Sequence, residues 1–377
     1  MIGKHLVIAC GGTGGHFYPT LAIAEAWREH GNDATLAIAG QHCEEQLRIA
    51  ESRGIPAVLF PAVRLPNSLS SLVRFPFAFL HGWREARHVW RKLSPDVVLG
   101  MGSYASVLTC LTSPKGVPLF LHEGNAFMGK ANRLFAKRSI GIGLSLPLWF
   151  MGQAHGKPNK VVGMPLREQL VEAALHGKPD ADFLPSLGLQ NGIPTVLVFG
   201  GSQGAKALNE AFVNAADALQ ALKERIQFIH LTGPTDGGQL AECYAQRGIR
   251  ASIRVSDPHI ERCYLASDLV FCRAGASSLC ELALFGKPAV LIPLPSSADD
   301  HQVYNTKTAE SVGGARHILQ ENLNADSLLK TLTEFLDRPD EFRAMGQRLR
   351  ENLAHSDAAQ QMVQFMQEML GNAGETP

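Results

Sequence analysis

The chain has 377 residues, of which 45% are hydrophobic and 19% charged, a balance that is normal for a globular protein. This length exceeds what one hydrophobic core usually covers and predicts two domains, and the absence of any stretch of roughly 18 continuous apolar residues excludes a membrane-spanning helix. The formal net charge is zero, but residues 1–165 carry 17 Lys and Arg against 9 Asp and Glu, whereas residues 166–377 carry 18 against 26. A basic first half is typical of a protein with an anionic partner, such as a phosphorylated ligand or a membrane surface; random scatter of charge is the alternative.

The cysteine pattern and the N-terminus indicate a protein of a reducing compartment. The number of cysteines is odd and no CxxC pair occurs, which favours free, buried thiols over disulfides. The first residues read as a buried strand, and the apolar run is too short for a signal peptide. We expect a cytoplasmic protein without a nucleic-acid partner, whose contact with any membrane is peripheral. The cysteines are Cys10, Cys43, Cys110, Cys243, Cys263, Cys272 and Cys280.

The first predicted strand, His5 to Cys10, runs directly into a glycine-rich loop. The loop, Gly11 to His16, has the sequence GGTGGH, and a helix with Pro19 in its first turn is predicted to follow. A bare backbone lets a ligand approach closely, and a helix N-terminus favours negative charge, so this turn is suited to a phosphate or a sugar. It is not the dinucleotide fingerprint, because Phe17 stands where Gly or Ala is required.

A dense apolar segment follows the predicted strands at 35–39 and 57–60. Residues 69–90 hold many aromatic and aliphatic side chains, flanked by Arg64, Arg74, Arg84 and Arg87. One interpretation is a core helix broken by Pro76. The other is an apolar patch with a basic rim, spanning residues 69–84, that lies on an anionic lipid surface.

The next predicted strand, 96–99, precedes the segment GMGSYA at Gly100 to Ala105. With Glu123 about 20 residues further on, this segment also fits a dinucleotide-binding pattern, a lone match that predicts little by itself. A strand at 118–122 ends in Glu123-Gly124-Asn125 and leads to a helix at about 128–137. The segment VVGMPLR, ending at Arg167, closes the first half.

The second half repeats the opening pattern of the first. Residues 171–191 read as a linker, and the Asp180-Ala181-Asp182 sequence within it is expected to be solvated acids rather than a metal motif. A strand at 195–199 then runs into GGSQGA, Gly200 to Ala205, and a helix from about residue 208. Two halves that each begin with strand, glycine loop and helix predict an α/β protein with two Rossmann-like domains facing a cleft.

A block of small and polar residues, Cys272 to Asn305, follows predicted strands at 226–231, 250–255 and 269–271. Within it we expect a helix from Leu279 to Phe285, capped by Ser277 or Ser278, with Glu281 in its first turn. After a strand at 289–292, polar residues crowd the segment 299–305, at the edge where open α/β sheets bind ligands. Helices at 306–311, 325–336, 341–355 and 358–370 are predicted to complete the chain.

Three of these motifs closely resemble those of the MurG family: GGTGGH, GGSQGA and the block from Gly275 to Asn305. The resemblance extends over residues 5–370. It implies a GT-B glycosyltransferase, with an acceptor- and membrane-binding domain at 1–165 and a UDP-sugar domain at 166–345. Closing helices at 346–377 would follow, the last of which crosses back to the first domain.

The activity implied by this family is an inverting transfer of N-acetylglucosamine. The donor is UDP-N-acetylglucosamine, and the acceptor is the 4-hydroxyl of undecaprenyl-diphospho-N-acetylmuramoyl-pentapeptide at the cytoplasmic face of the bacterial inner membrane. No cofactor and no metal ion held by the protein are expected.

The resemblance also assigns residues to the two substrates. Glu281 would hold the ribose, Gln302 the sugar and Ser202 the diphosphate. The turn at 255–260, which contains Asp257, matches the uracil-binding loop only loosely. The predicted donor-binding residues are Thr13, Gly14, Gly15, Asn125, Arg167, Ser202, Gln203, Asp257, Ala276, Ser277, Ser278, Leu279, Cys280, Glu281 and Gln302. The predicted acceptor-side residues are Gly102, Ser103, Tyr104, Glu123 and Asn125.

Three departures from the family pattern concern the acceptor. Gly124 replaces the usual Gln, Met164 replaces the usual Asn, and Ser103 lies in a loop that is usually GMGGY. These departures leave open a related transferase with another acceptor. The same fold also carries UDP-N-acetylglucosamine 2-epimerases, and a non-catalytic sugar-nucleotide-binding module is the remaining alternative.

An inverting displacement needs a base for the acceptor hydroxyl, and His16 is the candidate. It ends the glycine loop at the ligand edge, and an unperturbed histidine, which titrates near pH ~6.5, is largely neutral in the cytoplasm. The alternative is that His16 only binds a donor phosphate or caps its helix. His301, in the donor-side polar loop, is the rival base.

Overall fold

The computed structural model describes residues 3–12, 14–40, 43–62, 69–201, 206–234 and 237–374, without the side chains of residues 69–74, 373 and 374. These residues fold as two compact units: Met1–Arg167 with Asp357–Pro377, and Glu168–Ser356. The predicted third segment is therefore divided, because residues 346–356 belong to the second unit. In the described part of the chain, no helix is long and apolar enough to cross a bilayer.

The first unit is built on a parallel seven-stranded sheet with the order β3-β2-β1-β4-β5-β6-β7. Apart from the added β7, this is the strand order of a doubly wound Rossmann sheet. Strands β1, β4 and β5 are buried along their whole length or nearly so, as their runs of Val, Ile and Leu predict. The strands are β1 His5–Cys10, β2 Asp33–Ile38, β3 Ala57–Leu59, β4 Val97–Gly100, β5 Leu119–Glu123, β6 Gly141–Leu144 and β7 Asn159–Val161.

Helices cover both faces of this sheet and bury a separate apolar cluster on each. Helices α1 and α16 pack together on one face, around Phe17, Trp27 and Phe365. Helices α3, α4 and α5 cover the other face, around Trp90, Leu108 and Phe135. The last helix thus packs on the first unit. The helices are α1 Gly14–Glu29, α2 Cys43–Ser52, α3 Leu69–Leu93, α4 Ser106–Thr112, α5 Lys130–Ala136, a 3-10 helix Met151–Ala154 and, from the chain's end, α16 Ala358–Gly374.

The second unit has a parallel six-stranded sheet with the order β10-β9-β8-β11-β12-β13, again the Rossmann order. The region 171–191 is not a linker, because two helices of this unit begin within or next to it. The strands are β8 Thr195–Phe199, β9 Gln227–Leu231, β10 Ala251–Arg254, β11 Leu269–Cys272, β12 Ala289–Leu291 and β13 Ala315–His317. The α-helices are α6 Glu168–His176, α7 Phe183–Ser186, α8 Lys206–Asn214, α9 Ala216–Leu219, α10 Gly238–Gln246, α11 Ile260–Ala266, α12 Ala276–Phe285, α13 His301–Ser311, α14 Ala325–Asp337 and α15 Pro339–Leu353, with 3-10 helices at Gln220–Leu222, Ala298–Asp300 and Gln320–Asn322.

Candidate active site

The glycine loop of the first unit turns sharply between β1 and α1. Gly11 adopts φ +127°, and a Cβ there would collide with the carbonyl oxygen of Ala39, so no other residue fits. Gly12, at φ +88°, has open space where its Cβ would be. Helix α1 begins at Gly14, earlier than predicted, which places Pro19 in its interior rather than its first turn. Gly14 and Gly15 therefore form the helix N-terminus, while Thr13 lies outside the described residues.

His16 stands in the first turn of α1 and contacts the end of β4. Its Nδ1 lies 3.1 Å from the carbonyl oxygen of Met101. Because a carbonyl only accepts hydrogen bonds, the neutral ring carries its proton on Nδ1 in this arrangement. The basic nitrogen is then Nε2, which is the protonation pattern that a general base requires.

A second histidine, His122, lies close to His16 and was not predicted. Its Nε2 is 3.2 Å from the Ser145 hydroxyl oxygen and 3.4 Å from the carbonyl oxygen of Gly163, and the Ser145 hydroxyl donates to the Met164 sulfur at 3.7 Å. Burial, with a smaller contribution from the nearby His16, lowers the pKa of His122 to about 4. His122 is therefore neutral near pH 7. The sequence feature that could have marked His122 as a site residue is its position near the end of a buried strand.

Glu123 organises the loop after β5. Its carboxylate is 3% exposed and accepts hydrogen bonds at 2.9 Å from the backbone amides of Asn125 and Gly129 and from the Asn132 side chain. These hydrogen bonds satisfy the buried carboxylate and hold the loop in place. That Glu123 contacts the acceptor stays a prediction.

The other predicted acceptor-side residues divide between buried and exposed positions. Gly102 is required by close packing, because a Cβ there would lie 2.6 Å from the Asn132 amide nitrogen. Ser103 is buried, whereas Tyr104 is 48% exposed. Asn125 is half-buried, and its amide donates to Glu123 at 3.3 Å. Of these side chains Tyr104 is the most exposed, and the contacts of all these residues with an acceptor stay predictions.

Arg167 completes the ligand edge of the first unit. Its guanidinium lies 5.0 Å from the centre of the Tyr18 ring, two residues beyond His16 in α1. This cation–π contact holds a positive charge beside the helix that carries the candidate base.

In the second unit, the glycine loop after β8 is described only up to Gly201, which has φ +79°. Ser202 and Gln203 lie outside the described residues, so their roles stay predictions. The helix that follows, α8, is held to β9 and the residue after it by hydrogen bonds of Asn209. The Asn209 side chain donates to the Thr232 carbonyl at 3.0 Å, and its Oδ1 lies 3.0 Å from His230 Nε2. Burial lowers the pKa of His230 to about 3, so this pair is neutral.

Helix α12 begins at Ala276 with Gly275 as its N-cap, and neither Ser277 nor Ser278 caps it. The first amides of a helix have no partner within it, so those of residues 276–278 can bind a phosphate or sugar oxygen. Leu279 and Cys280 have buried side chains, and the Leu279 amide donates to the Gly275 carbonyl at 2.9 Å. These two remain predictions as neighbours of a donor, without a side chain to bind it.

Glu281 lies in the second turn of α12, not in the first. The hydroxyl of Tyr264 donates to its Oε2 at 2.7 Å. Tyr264 is fully buried, and this burial together with the Glu281 charge raises its pKa. A buried, protonated phenol thus orients the half-buried carboxylate that is predicted to hold the ribose.

The polar segment before α13 presents Gln302. Its Oε1 accepts from the Leu294 amide at 3.0 Å, which fixes the side chain and directs its amide nitrogen as the donor. Asp299 and Asp300 both adopt left-handed backbone conformations, with φ 51° and 54°. Asn305 is buried and donates to the Ala274 carbonyl at 2.9 Å, which joins this segment to the start of α12.

Two further charged residues, Asp257 and Arg273, form hydrogen bonds with backbone groups of the second unit. Asp257 accepts from Arg254 at 2.5 Å and from the His259 amide at 2.8 Å, so its carboxylate stabilises the turn, and its contact with the donor stays a prediction. Arg273 was not predicted. It is buried and donates to the Ile292 carbonyl at 3.2 Å and to Gln320 at 2.7 Å, and burial lowers its pKa. Its place directly after a buried strand was the sequence signal.

The Asp180-Ala181-Asp182 sequence lies at the surface. The Asp180 carboxylate accepts from the Asp182 amide at 3.0 Å and from Arg262 at 2.8 Å, and these bonds lower its pKa. Among the residues that the structure describes, no group of three or more His, Cys, Asp or Glu is placed to hold a metal ion. That the protein holds no metal ion stays a prediction.

Comparison with known proteins identifies the family. The model of the glycosyltransferase family 28 N-terminal domain matches residues 6–142, and that of the family 28 C-terminal domain matches residues 195–362. The chain belongs to glycosyltransferase family 28. The predicted resemblance is thereby confirmed.

Members of family 28 match the chain along almost its whole length. A protein of Hahella chejuensis, named UDP-N-acetylglucosamine–N-acetylmuramyl-(pentapeptide) pyrophosphoryl-undecaprenol N-acetylglucosamine transferase, is 35% identical and aligns over 99% of this chain and 100% of its own length. The crystal structure of Acinetobacter baumannii MurG superposes with a TM-score of 0.76 at 25% identity, covering 97% of this chain and 99% of that one. The family 28 chain thus has the GT-B fold.

A more distant solved structure shares the fold alone. The UDP-GlcNAc 2-epimerase of Neisseria meningitidis has a TM-score of 0.63 at 13% identity and covers 98% of this chain and 100% of its own. At this identity the likeness says nothing about the reaction that the family 28 chain performs.

Proposed function

We propose that this chain transfers N-acetylglucosamine from UDP-N-acetylglucosamine to the 4-hydroxyl of undecaprenyl-diphospho-N-acetylmuramoyl-pentapeptide, with inversion at the anomeric carbon. The observation that carries the proposal is the full-length match, at 35% identity, to a relative that is named for this transfer. The product is the lipid-linked disaccharide precursor of peptidoglycan.

The second unit supplies the groups that suit the donor. The first amides of α12 favour the negative charge of a diphosphate. Glu281, turned by Tyr264, is suited to accept hydrogen bonds from the two ribose hydroxyls, and Gln302 offers an amide donor to the sugar. These contacts support UDP-N-acetylglucosamine as the donor.

The first unit supplies the groups that suit the reaction itself. In one displacement, the acceptor oxygen forms a bond to the anomeric carbon while the bond from that carbon to the phosphate oxygen breaks. The bonding electrons leave with UDP, and Nε2 of His16 takes the hydroxyl proton. The hydrogen bond from His16 Nδ1 to Met101 supports this role, because it keeps Nε2 as the basic atom.

Arg167 is suited to the charge that develops on the leaving group. As the bond to phosphate breaks, negative charge grows on the diphosphate, and a fixed guanidinium stabilises that charge more than it stabilises the ground state. Stacking on Tyr18 restrains the guanidinium and lowers the cost of positioning it during the reaction.

Peripheral contact with the cytoplasmic face of the bacterial membrane is part of the proposal, because the acceptor is lipid-linked. Helix α3 supports it: Phe77 is 77% exposed and Leu80 is 49% exposed, and Arg84 and Arg87 are exposed one to two turns further on. Phe75 and Phe79 are instead partly buried, and Phe79 packs on the core of the first unit. Of the residues in the predicted patch 69–84, we therefore propose that only those on the outer face of α3, such as Phe77 and Leu80, contact the membrane. The side chains of residues 69–74 lie outside the described part.

A transferase with another acceptor is the second candidate, motivated by Ser103, Gly124 and Met164. Ser103 and Met164 are 6% and 4% exposed. Met164 completes the hydrogen-bonded chain of His122 and Ser145 inside the first unit. Buried residues do not touch an acceptor, so only Gly124, in the loop shaped by Glu123, still favours this candidate.

The decisive experiment is transfer of labelled N-acetylglucosamine to a short-chain lipid I analogue by the full chain. We expect a β-1,4-linked disaccharide, identified by NMR of the new anomeric proton. Conversion of UDP-N-acetylglucosamine to its manno epimer without acceptor would establish the epimerase instead. UDP binding with neither product would leave a binding module.

A further inference from the structure

A second exposed apolar surface lies on the first unit, apart from α3. We call it the aromatic shelf, and it consists of Leu134 on α5 together with Trp149, Phe150 and Met151 at the start of the following 3-10 helix. These side chains are 61%, 45%, 49% and 54% exposed, respectively. Soluble proteins rarely expose several large apolar side chains on adjoining elements unless the surface binds something.

The shelf is built into the fold and is not a loose loop. The Trp149 amide donates to the Ala126 carbonyl at 3.0 Å, and the Met128 amide donates to Gln153 Oε1 at 3.0 Å. The Phe150 ring packs edge-on against Phe127 with 5.7 Å between ring centres. Two loops that each follow a strand of the sheet are thereby tied together, so the exposed side chains keep their positions.

The segment that contains the shelf is rich in basic residues. Between Gly124 and Arg167 the chain has seven Lys and Arg and no Asp or Glu. Lys130, Lys137 and Arg138 are exposed on or next to α5, and the Arg133 guanidinium lies 5.3 Å from the centre of the Phe127 ring. Aromatic and aliphatic side chains within a wholly cationic segment suit the headgroup region of an anionic bilayer, where indole rings are favoured and each lysine or arginine adds attraction.

The shelf and the outer face of α3 lie on the same side of the sheet. Helix α3, α5 and the 3-10 helix all cover one apolar cluster, which contains Trp90, Phe135 and Ala154. Both surfaces therefore belong to the face of the first unit that lies over this cluster.

We propose that the aromatic shelf inserts into an anionic lipid bilayer and forms a second membrane contact beside α3. The inference rests on the proposed function, of which peripheral membrane contact is a part, and adds a second surface for that contact; binding of vesicles without any acceptor tests it separately from sugar transfer.

Tryptophan quenching tests this contact directly. The chain has four tryptophans, of which Trp27 and Trp90 are buried at 0% and 3% exposure. In a Trp83→Phe variant, Trp149 is then the exposed reporter. Vesicles of phosphatidylglycerol and phosphatidylethanolamine with brominated acyl chains should quench its emission and shift it to the blue. Vesicles of phosphatidylcholine should not. A Trp149→Phe variant keeps Trp83, which packs on the core of the first unit beside Phe79, and gives the background signal.

A paired substitution gives the second measurement. Trp149→Ser with Phe150→Ser should weaken partition onto the anionic vesicles by at least about tenfold. The matched control is Leu175→Ser with Leu319→Ser, at two leucines of the second unit that are 44% and 38% exposed, and it should bind vesicles like the wild type. Transfer to a water-soluble acceptor analogue should be unchanged in the shelf variant, which separates this inference from the transfer reaction.

Two results would overturn the proposal. One is vesicle binding by the wild type without quenching of Trp149, which would leave α3 as the contact. The other is a concentration-dependent dimer in sedimentation that the shelf variant abolishes, which would make the shelf an interface between two copies of this chain.

Discussion

Replacing Glu281 with Gln should weaken the binding of UDP without unfolding the protein. A carboxylate accepts charge-assisted hydrogen bonds from ribose hydroxyls, and the neutral amide accepts weaker ones. A hydrogen bond to a charged group contributes about 1.5–3 kcal/mol. Since each 1.4 kcal/mol changes an equilibrium constant tenfold, the dissociation constant of UDP should rise roughly 10- to 150-fold.

The hydrogen bond from Tyr264 to Glu281 also predicts how a second substitution, Tyr264→Phe, changes the affinity for UDP. Its hydroxyl donates to Glu281 Oε2 at 2.7 Å, so in the Gln variant it should hold the amide oxygen and turn the amide nitrogen toward the ligand. Removing the hydroxyl frees the amide to rotate. We therefore expect Tyr264→Phe to weaken UDP binding in the wild type, but to leave it unchanged or improve it in the Glu281→Gln background.

Calorimetric titration with UDP measures these effects, and the thermal unfolding midpoint checks the fold. Glu334→Gln on α14 is the matched control, because it removes the same charge from a carboxylate that pairs with Arg316 at 2.6 Å within the second unit. Its UDP affinity should equal that of the wild type. A Glu281→Gln protein that is folded and binds UDP within about twofold of the wild type would refute the assignment of Glu281 to the ribose.

Three further predictions concern the first unit. His16→Ala should lower turnover by roughly 10²–10⁴-fold, the usual contribution of a general base, with UDP affinity nearly intact. An equal loss of turnover and of UDP affinity would indicate that His16 binds a phosphate instead. A comparable loss of turnover in His301→Ala alone would favour His301 as the base. Phe77→Ser with Leu80→Ser should release the protein from anionic vesicles, as high salt should, and retention after the double change would exclude the outer face of α3 as a contact. The pKa of His122, about 4, lies below the unfolded value near 6.5, so the unfolded chain binds the extra proton and the stability of this unit should fall by about 1.4 kcal/mol per pH unit between pH 6.5 and 4. Urea unfolding followed by tryptophan fluorescence should show His122→Asn losing part of this slope, and an unchanged slope would contradict the buried neutral ring.

The sequence predicted most strands, because buried parallel strands read as short runs of Val, Ile and Leu. It missed β6, whose sequence GIGL contains two glycines. In the structure these glycines make room for α16: a Cβ at Gly143 would collide with Met362, and one at Gly141 would lie 3.0 Å from Phe365. The reason for the glycines is thus a helix more than 200 residues away in the chain, which a local pattern does not contain.

Helix starts were also misplaced, among them two that follow the small-residue loops of the candidate site. Helix α1 begins at Gly14 and α12 at Ala276, each several residues before the apolar periodicity that was used to locate them. Small residues at a helix N-terminus carry no periodic signal, because their backbone amides, not their side chains, face the open end. The small residues that suit these turns to a phosphate therefore also make the first residue of each helix hard to predict from the sequence.

The hydrogen-bond partners of the candidate site residues were harder to predict than the candidate residues themselves. His16, Glu281 and Gln302 lie on the loops and helix starts after β1, β11 and β12, where a local motif marks them. Their hydrogen-bond partners come from other segments: Met101 is 85 residues from His16, and Tyr264 is 17 residues from Glu281. Parallel pairing brings these segments together, since β1 lies beside β4 in the sheet. The position of the proton on His16 is therefore set by the pairing of β1 with β4 and by the Met101 carbonyl that follows β4, not by the GGTGGH motif. Because the carbonyl belongs to the backbone, changing the Met101 side chain should leave the proton on Nδ1.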